Sequence, residues 1–412
     1  MFSRSLDRWQ EIYDVLRKNK LRTSLTALSV AWGIFMLVIL LGAGRGLENS
    51  VVHDFKDDAV NSIWLWAGET SIPYKGHAVG RDIRFDNHDY ELLRTVGGVD
   101  KVTGRFYLPG RAAVVTYGDK HTSYEVRAVH PDHRYLENTT MTAGRFINQL
   151  DLDGRRKVCV IGTAVIDFLF EGEPPIGKAI EINGLIFKVV GTFHDDGGDD
   201  ENRKIYLPIT TAQIAFSGHD RINRLMFTVG NADVPTSQAI AAVVTERIAG
   251  NHDFSPDDDK AIRVRNNVEN YQRVTQIFAM ISAFIWIIGA GTVVAGIVGV
   301  SNIMMISVKE RTREIGLRKA IGATPWSIIG TILREAVVLT SVAGYMGMVA
   351  GIGFLELVSR AMGDNDYLRD PQVDLTVVLT AMGLLVFFGA LAGFFPARRA
   401  AKVNPIVALR DE

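Results

Sequence analysis

The sequence predicts an α-helical membrane protein with four transmembrane helices and an α+β extracytoplasmic domain, divided into two lobes, inserted between helices 1 and 2. Three observations carry this. Apolar residues make up 47% of the 412 positions but gather near the start and in the last third. Those regions hold runs of about 20 or more residues without a charge, long enough to cross a hydrocarbon core about 30 Å thick. Between the first run and the second, residues 46–273 change to charges, turn residues and short alternating stretches.

Residues 1–22 set Leu6, Trp9, Ile12, Tyr13 and Leu16 at helical spacing. They predict a cytoplasmic amphipathic helix, fit for a membrane surface or for a protein face. Residues 23–45 form transmembrane helix 1, uncharged from 23 to 44 and bracketed by Arg22 and Arg45. The run is too long for the apolar core of a cleaved leader. In residues 46–273, the runs NSIWLWAG, RAAVVTYG, TSYEVRAV, RKVCVIG, KAIEINGLIFKVVGTF, RKIYLPI and RLMFTVG read as strands by alternation and β-branched content. HDYELLRTV and SQAIAAVVTERIA read as helices. One lobe is expected from 60–108 with 211–268, the other from 109–210.

Residues 274–308 form transmembrane helix 2, which at about 1.5 Å per residue reaches roughly 50 Å and must tilt or project. The chain then turns charged in VKERTREIGLRKA (308–320). Residues 309–324 predict a short helix in water, closed by Gly322, with Thr324 and Pro325 opening the next helix as N-cap and first-turn residues. Residues 325–357 form transmembrane helix 3, 358–374 an outer loop, 375–397 transmembrane helix 4 and 398–412 a cytoplasmic tail. Lysine and arginine gather in 1–22, in the elbow and in the tail, whereas the 358–374 loop has two arginines against four aspartates. The positive-inside rule then puts both termini and the elbow in the cytoplasm and the large domain outside the cell (inner) membrane.

Net charge is −1, which gives no pull toward nucleic acid. Cys159 is the single cysteine, so no internal disulfide forms, and its setting in VCVIG reads as a buried strand. GEPPIGK (172–178) has phosphate-loop spacing, but Ala179 stands where Ser or Thr would hold magnesium, two prolines stiffen it, and a strand is expected next. It reads as a turn. HDDGGDDE (194–201) offers oxygen ligands and one imidazole without the EF-hand spacing, so a solvated loop is expected over a metal site. His130 and His133 in HPDH read as surface loop. HExxH and GxSxG are absent from the sequence, and no catalytic, cofactor-binding or metal-ligating residue is expected. Arg334, Glu335 and Glu356 read as charges at the ends of the third span rather than intramembrane sites.

The elbow stands out. Glu314 and Arg318 pair at i, i+4 and Glu310 and Arg313 at i, i+3, while Leu317, Ala320 and Ile321 share an apolar face. A short self-stabilised helix with an apolar stripe suits docking in a groove on a cytoplasmic partner; the competing reading is a solvated basic loop.

SNIMMISVKERTREIGLRKAIGATPWSIIGTILREAV, with LRTSLTALSVAWGIFMLVILLGAGRGLENSV near the start and FPARRAAKVNPIVALRDE at the end, resembles the MacB/FtsX-type ABC transporter permeases. GRFI, KVCVIG, PPIGKAIEING and IYLP extend the likeness loosely into the insert. The resemblance implies a four-span permease acting as a homo- or heterodimer in membrane lipid. It needs no cofactor of its own, because ATP is bound by a cytoplasmic ABC ATPase subunit. That subunit would engage the elbow, the family's coupling helix, through Glu310, Arg311, Glu314, Gly316, Arg318, Lys319 and Gly322. Association of the ATPases would be relayed to the outer domain (mechanotransmission), with a periplasmic adaptor as further partner and export or efflux from the periplasmic side as the outcome. Residues 1–22 hold no counterpart of MacB's nucleotide-binding domain, so the ATPase is expected on a separate chain. An FtsX-like signal transmitter that activates an outer hydrolase, or a lipoprotein-releasing permease, is the alternative.

Overall fold

The computed structural model describes residues 20–54, 59–362 and 375–402. The amphipathic segment over residues 1–19, most of the 358–374 loop and the tail beyond 402 lie outside the described residues. Two units form, one of residues 1–51 with 277–412, the other of residues 52–276.

The chain opens on α1 (Lys20–Asp54), longer than the apolar run at each end. The 52–276 unit follows as β1 (Ser62–Ala67), β2 (Phe85–Asp86), α2 (Asn87–Arg94), β3 (Val102–Tyr117), β4 (Lys120–Val129), α3 (His133–Leu136) and β5 (Thr140–Gly144). It continues through α4 (Gln149–Asp153), β6 (Val158–Gly162), α5 (Thr163–Phe170), β7 (Ala179–Ile182), β8 (Leu185–His194), α6 (Asp199–Asn202) and β9 (Lys204–Pro208). It ends with α7 (Ile209–Ala215), β10 (Arg221–Ile222), β11 (Arg224–Thr228), α8 (Val234–His252) and β12 (Ile262–Asn266). Each run read as a strand contributes one, except KAIEINGLIFKVVGTF, which contributes two. The strand expected after GEPPIGK is β7, joined to β8 by Asn183 and Gly184, both at positive φ as a two-residue hairpin requires.

One ten-stranded sheet results, in the order β12-β1-β11-β3-β4-β9-β6-β8-β5, with β7 pairing both β3 and β8. The β4–β9 and β6–β8 pairs are parallel. The sheet has two halves linked through β3 and β4, and the β3–β4 register shifts between Tyr107 and Ala112. One half takes β12, β1, β11 and the start of β3; the other is built from residues 112–208. On β1, Ile63 and Leu65 enter the main core, while Trp64 and Trp66 point the other way onto Leu136 and Met226.

Between those tryptophans and the second half lies a buried charge cluster that the sequence reading missed. Arg105 on β3 is 1% exposed and touches Glu137. Arg127 on β4 reaches the other Glu137 oxygen at 3.0 Å and Glu125 at 2.6 Å. The Tyr206 hydroxyl donates to Glu137 at 2.9 Å. Burial, with Arg127 alongside, pushes Arg105 down to about 10. Burial and the same arginine push Lys204, which touches Glu201, down to about 7.

His130 and His133 are not surface loop. Both are buried, because the HPDH turn folds under the sheet: His130 stacks on Tyr90 at 3.6 Å between centroids, and His133 Nε2 lies 2.9 Å from Glu137. The Gly104 N–H donates to His130 Nδ1 at 2.9 Å. The 194–201 loop is also tied down. Buried Asn202 donates to the carbonyls of Asp195 and Gly198, and Glu201 lies 3.3 Å from Arg127. Asp86, Asp89 and His252 converge elsewhere, within 4.8 Å. They are engaged as the capping box of α2 and an Asp89–His252 pair at 2.7 Å.

Burial pushes His130 down to about 3. The unfolded chain therefore takes up a proton below about pH 6.5 that the folded chain refuses, and stability falls by about 1.4 kcal/mol per pH unit below that point. His252, raised by its hydrogen bond to Asp89, acts oppositely: its contribution is fully present below about pH 6.5 and fades as pH rises through its folded value. His130→Asn, which keeps an acceptor for the Gly104 N–H, is expected to lower stability at pH 7. It should also flatten the loss between pH 7 and 5 by about 2 kcal/mol. Unfolding of the purified chain followed by tryptophan fluorescence checks this; parallel pH profiles for the two proteins would refute it.

The helical unit completes the chain with α9 (Asn267–Glu310), α10 (Thr312–Ala320), α11 (Pro325–Met362) and α12 (Leu375–Ala401). Among the described residues, four helices are long and apolar enough to cross a membrane. The α9 helix has 44 residues, about 66 Å at ~1.5 Å per residue, twice a hydrocarbon core. The α12 helix runs through Pro396 to Ala401 rather than stopping near the proline. Small residues let α11 approach its neighbours closely. A Cβ at Gly347 would collide with the carbonyl of Ala31 on α1, and one at Gly351 would come within 2.9 Å of Val38. On the other side Gly389 and Gly393 of α12 admit Thr340 and Ala336.

Candidate functional site at the elbow

The link from α9 to α11 is a clamped cross-piece. The break falls at Arg311, where φ −103 and ψ 13 interrupt the helix. Thr312 donates its hydroxyl to the carbonyls of Val308 and Lys309, bracing the corner. At the far end Gly322 takes φ +98, the Gly322 N–H donates to Lys319 O and the Ala323 N–H to Arg318 O. This is a Schellman motif, whose left-handed residue is favourable for glycine. Thr324 then caps α11, its hydroxyl accepting from the Ser327 N–H at 3.3 Å. Gly322, Thr324 and Pro325 punctuate the chain here, but the short helix runs Thr312–Ala320, and Lys309 and Glu310 belong to α9.

The short helix has two faces. Ile315 and Gly316 are buried, and Ile315 packs with Val308, Ile328 and Ile332. On the other face Leu317 is 54% and Ile321 79% exposed, with Ala320 beside them and Trp326 exposed just beyond. Of the seven residues that the resemblance singles out, Glu310, Glu314 and Gly322 are exposed, Arg311, Arg318 and Lys319 half-buried, and Gly316 buried. The Glu314–Arg318 pair forms at 2.9 Å, and Arg311 donates to Glu314 as well, at 3.1 Å. Cationic Arg318 and Lys319 in the last turn also suit the negative end of the helix dipole.

Two contacts anchor this helix to its neighbours. Arg311 Nη1 lies 3.3 Å from Glu335 on α11, a carboxylate 5% exposed. The Lys319 ammonium donates to the carbonyl of Ala401, at the end of α12, at 2.9 Å. Glu335 is therefore not a free charge at a span end. Its only sequence signal is a carboxylate set directly against a long apolar run. Arg334 is exposed and Glu356 pairs with Arg360 at 2.9 Å, as end-of-span charges do.

The MacB-like periplasmic core domain model matches residues 23–247, and the FtsX-like permease C-terminal model matches residues 275–405. The macrolide export ATP-binding/permease protein MacB of Chlorobaculum tepidum is 30% identical over 408 residues, 98% of this chain and 61% of that protein. The pyoverdine export ATP-binding/permease protein PvdT of Pseudomonas entomophila is 28% identical over 412 residues, 98% of this chain and 59% of that protein. The chain thus spans about three fifths of the length of these curated relatives. Among solved structures, the periplasmic region of MacB from Actinobacillus actinomycetemcomitans is similar, with a TM-score of 0.44 and 19% identity over 54% of this chain and 95% of that one. Both matched models are permease domains, the first alone covers more than half of the sequence, and the chain belongs to the MacB/FtsX-type family of ABC transporter permeases.

Proposed function

We propose that the chain is the membrane lever of an export or efflux transporter, driven through the elbow by a cytoplasmic ABC ATPase. The carrying observation is the exposed Leu317–Ile321 stripe on a helix clamped at both ends, because such a helix offers a docking face and cannot swing freely when pushed. Charged Glu310, Glu314 and Arg318 rim the stripe, as polar residues rim an apolar contact. In this reading the elbow and both termini lie in the cytoplasm and the 52–276 unit on the periplasmic side of the inner membrane. A second permease copy, identical or related, completes the machine, and a periplasmic adaptor receives the stroke. The α9 helix, about twice as long as the membrane is thick, supports a stroke carried beyond the bilayer. The names of the relatives, which mention macrolide and pyoverdine export, support an export role.

Two measurements test the reading. Asp199→Cys and Arg313→Cys are expected to react with an impermeant maleimide from opposite faces of membrane vesicles; labelling from one face would end it. Cys159 stays silent in that assay, being buried with its thiol pushed up by burial. The purified chain is expected to capture an ABC ATPase from a membrane extract and to hydrolyse no ATP without it. Hydrolysis by the isolated chain would overturn the division of labour.

A further inference from the structure

We propose that Glu335 is a positioning residue: its pair with Arg311 locks the elbow helix to α11, so that the two move as one body. The observations are local to the helical unit. Arg311 sits at the single point where α9 breaks before α10, the natural hinge of the corner. Without a tie there, α10 would be held at this end by the Thr312 hydroxyl and the apolar packing of Ile315, with no charge pair to fix its angle. Glu335 supplies the tie from nearly three turns inside α11, at 3.3 Å and 5% exposure. The pair lines a cavity of about 30 Å³ together with Ser307, Thr331 and Glu314. That space is small, and Glu335 is turned away from bulk solvent while the Arg311 side chain keeps 20% exposure. Arg311 holds Glu314 with its other nitrogens, which extends the tie into the first turn of α10. Meanwhile α11 is packed to α12 through Gly389 and Gly393, and Lys319 fastens the opposite end of α10 to Ala401. The Glu335–Arg311 pair therefore adds a charged lock to the apolar and backbone restraints on the corner. That it transmits force rests on the function proposed above; that it holds the corner does not.

The test uses the full chain in lipid nanodiscs, without ATPase, carrying nitroxides on Arg313→Cys and Arg398→Cys, both exposed. The spread of distances between labels reports how firmly α10 follows α11 and α12. Glu335→Gln is expected to broaden it about twofold, Arg311→Gln to do the same, and the double variant to be no broader than either, since two members of one pair do not add. An unchanged width in Glu335→Gln, or broadening that adds, would overturn the proposal. A second arm adds the captured ATPase. Glu335→Gln should keep capture within about threefold of the parent while the ATP-driven change in labelling at residue 199 falls about tenfold. Loss of capture in step with that change would overturn the positioning role. A parent chain that captures no ATPase would remove the proposed function, while the nanodisc arm would still decide the lock.

Discussion

Glu137→Gln is expected to cost the 52–276 unit about 3–5 kcal/mol and to lower its melting temperature by about 10 °C or more. Glu137 is the carboxylate that both buried arginines share: it touches Arg105 and lies 3.0 Å from Arg127. It also accepts from Tyr206 and faces His133. Arg127 keeps Glu125 and Glu201 when Glu137 is neutralised, but Arg105 is left, 1% exposed, with the Tyr107 hydroxyl at 3.1 Å and the faces of Trp64 and Tyr107. Those are poor substitutes for a counter-charge, and stranding a buried ion costs more than its pair contributed. Adding Arg105→Met should recover at least half of the loss, because removing both partners removes the stranded charge. The consequence is mechanical. Arg105, Arg127 and Tyr206 stand on β3, β4 and β9, where the two halves of the sheet meet, and Glu137 follows α3. Under the function proposed above, in which this unit is moved as a whole, that junction has to be stiff. A Glu137→Gln protein that melts within about 2 °C of the parent would show that the cluster is incidental to stability.

How much of this could be read from the sequence follows from the range of each interaction. The elbow was legible because its determinants are neighbours in the chain. Gly322, Thr324 and Pro325 punctuate it, and Glu314 and Arg318 meet at helical spacing. Most of the longer strands were legible as alternation, while β2, β5, β10, β12 and the start of β3 were not; and alternation fixes a face and not a partner. Nothing in TSYEVRAV or RKIYLPI says that β4 and β9 run parallel side by side. The misreadings share one cause. HPDH looks like surface because its residues are polar, yet His130 is accepted by a core that supplies a backbone donor and a tyrosine ring. Glu335 looks like an end-of-span charge because its partner lies 24 residues away across a helical corner. Arg105 lies ahead of the run read as a strand at 111–118, and gives no sign that its side chain enters the interior until Glu137 is brought over it. A buried charge is explained by its partner, and the partner is a property of the fold.

At the elbow, Leu317→Asp with Ile321→Asp is expected to reduce ATPase capture by about 100-fold or more while leaving the fold intact. The two sites are 54% and 79% exposed in the chain alone, so polar replacements cost the permease little. Burying such side chains in a partner contributes about 1.5–3 kcal/mol each, and aspartate would both forfeit that and carry an unpaired charge into the contact. A loss of about 3 kcal/mol already corresponds to more than 100-fold in affinity. Ile214→Asp is the matched control: equally apolar and 59% exposed, but on α7 of the sheet domain. It should leave capture unchanged. The contrast separates a docking stripe from a basic loop that merely obeys the positive-inside rule. If charge alone mattered, neutralising Arg313 and Lys309, both exposed, would weaken capture more than the double aspartate does. If the apolar stripe is the contact, those neutral variants change mainly the association rate and its salt dependence, as charges at a rim do. Capture within about threefold of the parent for the Leu317 and Ile321 double variant would place the ATPase contact elsewhere on the chain.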